Sequence, residues 1–328
     1  MRDALAPLVE ALPTHVAHVE LPTPFPVGPV NCYLVAGDPV TLVDPGMLHD
    51  DTFDLIGGLL AAAGLRVADV ERVVVTHAHP DHYGAAGWVI SQSGGRIVCG
   101  RAEIAKLESR FDRPGYQDLL GVLGIPDDIR AGFGDLYGGI RALVHDIPGE
   151  SLDPVDDGDC LVVGGTPVVA HVTPGHATGH LSLWDDASRT LFSGDHLLPR
   201  ITPNPVLEPD DSDLGRRRSL VEYLDSLDRF VALDPEVVLP GHGPAFTDLP
   251  ALVTGVRSHH EERAAVILDL VERNPGSSPH ELSGRLFPTL SGFGVMLGVS
   301  EVIGHLDLLL DAGAVIEERG PVLRYLAS

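Results

Sequence analysis

The stretch Thr76-His77-Ala78-His79-Pro80-Asp81-His82 constrains this chain more than any other. Four potential metal ligands, His77, His79, Asp81 and His82, fall within six residues. They follow the β-branched run Val73-Val74-Val75, so a buried strand delivers them at its C-terminal end. Neutral imidazole is a strong ligand for zinc, and a carboxylate oxygen can complete a site. One strand end cannot close a coordination shell, so the fold must bring further ligands to the same place.

Three later segments have the form that this requires. Val168–Val172 is followed by Thr173-Pro174-Gly175-His176, Leu191-Phe192 by Ser193-Gly194-Asp195, and Val237–Leu239 by Pro240-Gly241-His242. Each joins an apolar strand to a ligand residue through a glycine that permits a tight turn. Ligands on strand-end loops along one sheet edge can converge on one point. Earlier, Val40–Val43 ends at Asp44-Pro45-Gly46, where the acidic residue is either a turn former or a partner of the site. A lone histidine is more often structural, but three such elements after the histidine cluster make a set.

On these motifs the chain resembles the metallo-β-lactamase superfamily of hydrolases, over roughly residues 15–250. The resemblance implies an α+β fold, an αββα sandwich with metals between the loops at one edge. It implies that His77, His79 and His176 hold a first zinc ion, that Asp81, His82 and His242 hold a second, and that Asp195 bridges them. Manganese or iron is also compatible with such a donor set. Asp44 and Thr76 would then orient ligand imidazoles. The implied chemistry is hydrolysis of a carboxylic ester, thioester or lactone by a zinc-bridged hydroxide, with Asp81 orienting the nucleophile and carrying its proton. The alternatives are a phosphodiesterase or ribonuclease of the same fold, and a metal-binding regulatory protein without catalysis.

The chain is similar, within that superfamily, to the glyoxalase II and β-lactamase-like protein 2 type, which carries a winged-helix-like C-terminal domain. It departs at Ala177, where relatives carry threonine; here Thr178 comes one place later. The loop His196-Leu197-Leu198-Pro199 lacks the tyrosine found in lactonases of quorum-sensing signals. His180 and His196 stand near the site in sequence, either facing a substrate or turned away from it. His15, His18, His259 and His260 read as surface residues.

The expected organisation is a catalytic domain over 1–256 and a winged-helix-like domain over 257–328. Within the first, residues 101–150 are helical pieces broken by Pro114, Gly121, Gly124 and Pro126, with Phe111, Tyr116, Phe133 and Tyr137 among them. They read either as a mobile cap over a pocket or as a helical pair that only covers the sheet. In the second, helices at Ser258–Arg273, after Ser278-Pro279-His280-Glu281, and at Val299–Asp311 precede a hairpin about Gly320. That order is the DNA-binding one, but residues 257–328 hold six Arg and ten Asp or Glu, a balance of −4, and the third helix has neither Lys nor Arg. An intramolecular brace or a homodimer contact fits better.

Charge points the same way. The net charge of −25, from 22 basic and 47 acidic residues, repels phosphate backbones and favours a small-molecule substrate over nucleic acid. The run Arg216-Arg217-Arg218, with Arg200, either attracts an anionic group or is a solvated helix start. Lys106, the only lysine, reads as a by-product of an arginine-rich composition. Cys32, Cys99 and Cys160 show no paired spacing and read as reduced thiols. With no secretory signal and no run of 18 apolar residues, a cytoplasmic, membrane-free location is expected.

Overall fold

A computed structural model describes residues 12–13, 15–108, 115–210, 212 and 215–328, with only the backbone of 134–138 and 140. Phe111 and Pro114 of the expected insertion lie outside the described residues, as does the side chain of Tyr137. In chain order the elements are β1 (Val16–Leu21), β2 (Val30–Val35), β3 (Thr41–Val43), α1 (Asp50–Ala62), β4 (Arg72–Val75), α2 (Pro80–Tyr83), α3 (Ala86–Ser93), β5 (Arg96–Gly100) and α4 (Ile104–Leu107). Next come α5 (Tyr116–Val122), α6 (Asp127–Arg141), β6 (Leu152–Val155), β7 (Cys160–Val163), β8 (Thr166–Val172), β9 (Leu181–Asp185), β10 (Thr190–Gly194), α7 (Ser219–Leu233) and β11 (Val237–Pro240). The chain ends with α8 (Leu249–Arg273), α9 (Pro279–Leu286), α10 (Phe293–Asp311), β12 (Val315–Glu318) and β13 (Arg324–Ala327).

The residues fall into two compact units. The first comprises the described residues within 1–111, 139–203 and 228–252; the second comprises those within 112–138, 204–227 and 253–328. In the first, one sheet has the order β1-β2-β3-β4-β5-β6 and the other β11-β10-β9-β8-β7. Strands β3 to β6 run parallel to one another, and β10 runs parallel to β11. The period of two along a strand decides what each face buries. In β4, Val74 joins a core with Tyr33, Val98, Leu183 and Phe192 from both sheets. Its neighbours Val73 and Val75 join the opposite core, against Ile56 and Leu60 of α1 and Val89 and Ile90 of α3. On the second sheet, the Phe230 ring of α7 meets His171 of β8 at 6.0 Å. Helices thus cover both outer faces, and the αββα sandwich is present.

Strand β6 does not read as a strand in the sequence. Its segment Leu152-Asp153-Pro154-Val155 carries an acidic residue and a proline, yet it pairs parallel with β5. As the last strand of its sheet it tolerates a residue that cannot donate to a ladder.

The second unit has its own core. Tyr116, Leu119, Leu120, Leu123 and Phe133 of α5 and α6 share it with Ile267, Val271, Val299, Val302 and Leu306 of α8 and α10. The Tyr116 hydroxyl meets the Met296 sulfur at 2.6 Å. The inserted helices therefore supply part of a core, a role that neither expectation for residues 101–150 foresaw. Ser278 caps α9, accepting from the Glu281 amide at 3.2 Å, while the Ser278 amide donates to the Glu281 carboxylate at 2.8 Å. The expected helix at Ser258–Arg273 is the C-terminal part of the longer α8, and α10 starts at Phe293, ahead of the expected Val299. By length and composition α10 could cross a membrane, with a mean hydropathy of 1.6, but 61% of that window is buried, as in a core helix. Ser300, Glu301, His305 and Asp307 interrupt its apolar run, so it does not read as a span in the sequence.

His260 is not the surface residue expected. It is buried, and its Nδ1–H donates to His305 Nε2 at 3.0 Å, while His305 Nδ1–H donates to the Glu301 carbonyl at 2.7 Å. Burial, then His305, His259 and Arg263, pushes the His260 pKa down to about 3. Burial dominates at His305 too and brings it to about 4, against the Glu301 carbonyl bond. Both values lie below those of an unfolded chain, so the unfolded state binds more protons below about pH 6.5. Stability is therefore lost as pH falls from there toward 4. Glu301, whose carboxyl burial pushes up against the opposing Arg263, takes up a proton and softens the loss. Thermal melts should show stability falling as the pH is lowered from 7 to 4. That slope should flatten in His260→Gln/His305→Gln, and an unchanged slope would sink the assignment.

Candidate metal centre

The strand order brings the ligand loops to one edge. Strand β8 is antiparallel to β9, which is antiparallel to β10, and β10 is parallel to β11. The loops after β8, β10 and β11 therefore leave the second sheet on the same side. They carry His176, Asp195 and His242. From the first sheet, the loops after β3 and β4 bring Asp44 and the His77–His82 run.

All seven expected ligands meet. His77, His79 and His176 form one group; His77, His82 and Asp195 a second; Asp81, His82 and His242 a third; within each, the ligand atoms lie within 4.8 Å of one another. His79 Nδ1 stands 2.8 Å from His77 Nε2 and 2.9 Å from His176 Nε2. Asp195 lies between the outer groups. One of its oxygens is 3.5 Å from His82 Nε2, and the other is 3.6 Å from both His176 Nε2 and His242 Nε2. His242 Nε2 is also 3.4 Å from an Asp81 oxygen.

Hydrogen bonds behind the rings fix which nitrogen faces inward. His82 Nδ1–H donates to Asp44 Oδ2 at 2.8 Å. The same oxygen accepts from the Thr76 hydroxyl at 2.7 Å, which leaves that hydroxyl to accept from His77 Nδ1–H at 3.1 Å. Asp44 thus sets one imidazole directly and a second through Thr76. Its other oxygen accepts from the Thr76 amide at 2.8 Å. Asp44 is buried and has φ of 51°, a left-handed conformation that costs a non-glycine residue about 1–3 kcal/mol. The three hydrogen bonds over-determine it, so Asp44 is more than a turn former. On the far side, His242 Nδ1–H donates to the Pro29 carbonyl at 2.8 Å. Asn31 and Tyr33 of β2 hold the His242 loop, the Asn31 amide group donating to Pro240 at 2.9 Å and Gly243 at 2.7 Å, and the Tyr33 hydroxyl to Pro240 at 2.7 Å.

This orientation aims buried polar atoms at one another. His82 Nε2, His242 Nε2 and Asp195 Oδ1 are buried with no hydrogen-bond partner. Buried polar atoms without partners are costly, and a cation that displaced any proton on the imidazoles would satisfy all three. The donor set of five imidazoles and two carboxylates therefore fits divalent metal, zinc included. Burial, then His82, His79 and His176, holds His77 well below the ordinary imidazole range. Burial and His176, with Lys106 beyond, do the same to His79. At His82 burial works downward, but Asp195, Asp44 and Asp81 outweigh it and raise the pKa well above that range. The first group is thus a neutral nitrogen cluster and the second a carboxylate-rich one.

The two further histidines stand behind the centre. His180 Nε2 accepts from the Asp195 amide at 3.1 Å, and its Nδ1 faces the Thr173 hydroxyl at 2.8 Å. It holds Asp195 and does not face an open pocket, being fully buried. His196 is also buried, its ring 5.5 Å from that of Phe230. The arginine run is no anion site. Arg216 is buried in a bidentate pair with Asp307 at 2.6 and 2.7 Å, Arg217 pairs with Glu222 at 2.7 Å, and Arg218 with Asp311 at 2.7 Å. Arg200 is exposed.

Residues 25–242 match the metallo-beta-lactamase superfamily. The chain is similar to the probable metallo-hydrolase YqjP of Bacillus subtilis, 32% identical over 90% of this chain and 92% of that protein. It is 24% identical to the beta-lactamase-like protein 2 homolog of Caenorhabditis elegans, over 81% of this chain and 73% of that one. A more local likeness, 27% identity over 46% of this chain and 44% of the other, is to the atrochrysone carboxyl ACP thioesterase of Emericella nidulans. Among solved structures, a metallo-beta-lactamase family protein of Thermus thermophilus superposes with a TM-score of 0.82 at 29% identity, covering 97% of this chain and all of that one.

Proposed function

Because the chain belongs to the metallo-beta-lactamase superfamily, we propose that it is a metal-dependent hydrolase holding two divalent cations, zinc foremost, and cleaving a carboxylic ester, thioester or lactone in the cytoplasm. The observation that carries this reading is the set of buried, partnerless and converging atoms, His82 Nε2, His242 Nε2 and Asp195 Oδ1. His77, His79 and His176 would hold one cation and Asp81, His82 and His242 the other, with Asp195 shared between them. Bound there, the pair would lower the pKa of water toward about 7 and polarise the substrate's oxygen. Asp81, whose carboxylate lies beside His242 Nε2 at 3.4 Å, is the residue to orient the attacking water and take its proton. Asp44 keeps His82 and, through Thr76, His77 in the one tautomer that can ligate.

The acyl substrate class is supported by the thioesterase named among the relatives and by the net charge of −25, which opposes a polyanion. Metal analysis of the purified chain should give two equivalents. A panel of a thioester, a lactone and a phosphodiester should show turnover of the acyl compounds and its loss on chelation. Protein that neither retains nor takes up metal would overturn the reading. Turnover confined to the phosphodiester would overturn the substrate class.

A further inference from the structure

Glu103 is fully buried, although burying a carboxylate costs several kcal/mol unless it is paired. It lies where β5 gives way to α4, outside every motif that marks the metal centre. Its oxygens accept from the Ala78 amide at 3.1 Å, the Gly179 amide at 2.7 Å, and the Lys106 ammonium at 3.0 and 3.1 Å. Ala78 sits between His77 and His79, and Gly179 sits three residues after His176 and one before His180. One carboxylate therefore ties the backbone of two ligand loops that come from different sheets. The approach is close: a Cβ at Gly179 would lie 3.0 Å from Glu103 Cγ, and one at Gly100 would lie 2.0 Å from the Gly179 carbonyl oxygen.

We propose that Glu103, fixed by Lys106, is a positioning residue for the metal centre: it locks the His77–His79 loop against the His176 loop and so sets the spacing of the three imidazoles of the first cation site. The proposal rests on the metal reading above. Burial alone would raise the Glu103 pKa; Lys106 and the Gly179 and Ala78 amides outweigh it and keep the carboxylate ionised. A charged acceptor holds two amides more tightly than a neutral one. The neutral amide of glutamine offers one acceptor oxygen, and its NH2 group would confront an N–H donor. The single lysine among 22 basic residues thereby acquires a role at this pair, where the ordinary composition of the chain would place arginine.

The test uses the full chain, stripped of metal and titrated with Co2+ against a chromophoric chelator, with the visible cobalt spectrum recorded. Glu103→Gln should weaken the tighter Co2+ by about 10- to 100-fold and change the spectrum, the size of effect known for groups that orient metal ligands. The metal-free variant should keep the circular dichroism of the wild type. Glu103→Asp, one methylene shorter, keeps the charge and covers the case in which Glu103→Gln does not fold; it should also lose affinity, because it cannot reach both amides. Wild-type affinity and spectrum in a folded variant would overturn the positioning role and leave the metal reading intact. Failure of the wild type to bind Co2+ would overturn the metal reading, and the proposal with it.

Discussion

Replacing His77 and His79 together by alanine should abolish hydrolysis, lowering kcat/KM by at least about 10^4-fold, or ~5.5 kcal/mol of transition-state stabilisation. The two side chains supply two of the three nitrogens in the first group, and His77 also belongs to the second group with His82 and Asp195. Their loss leaves only His176 and the shared Asp195 on that side, too few ligands to hold a divalent cation against water. The fold should survive. His77 and His79 lie on a strand-end loop, and the cores on both faces of β4 are built by Val73, Val74 and Val75. Metal content and circular dichroism, read beside activity, separate the outcomes. Unaltered hydrolysis in a variant lacking both rings would remove the metal centre from the mechanism.

Gly241→Ala should be nearly as severe for the addition of a single methyl group. Its Cβ would lie 2.3 Å from Asp195 Oδ1 and 2.8 Å from His82 Cε1. Both neighbours are buried side chains with little room to move. Asp195 is held by His180 through its amide, and His82 by Asp44 through Nδ1. The loop itself is pinned at both ends, the Gly241 amide donating to the Gly194 carbonyl at 2.8 Å and the Asn31 amide to the Gly241 carbonyl at 2.7 Å. The methyl therefore occupies the space between Asp195 and His82, where the second proposed cation would sit. Metal content should fall from two equivalents to one, with kcat/KM lower by about 10^2- to 10^3-fold. An alanine variant with two tightly bound cations and full activity would show that the centre is looser than these distances state.

Much of the first unit is legible in the sequence because its signals are local. Val73-Val74-Val75 reads as a strand buried on both faces, and the glycine–ligand pairs at 175–176, 194–195 and 241–242 read as strand-end turns. Each signal needs only a few neighbouring residues. The departures have equally definite causes. Strand β6 is hidden by Asp153 and Pro154, which a strand at the edge of a sheet accepts. The arginines at 216–218 look like a free cationic run until Asp307, Asp311 and Glu222 are brought against them. His260 looks exposed beside His259 until α10 places His305 against it.

Sequence by itself picked out the candidate ligands that the fold brings together, because metal ligation demands particular side chains and those side chains follow strands at a recognisable spacing. Tertiary structure alone decided how the ligands are aimed. Asp44 reaches His82 across 38 positions, Asn31 reaches Gly243 across 212, and Glu103 reaches Gly179 across 76. It also decided the composition of the second unit, which gathers its core from three separate stretches of chain. Local pattern specifies which elements form. A hydrogen bond between distant loops depends on where the sheets have carried them, and no short-range pattern encodes that.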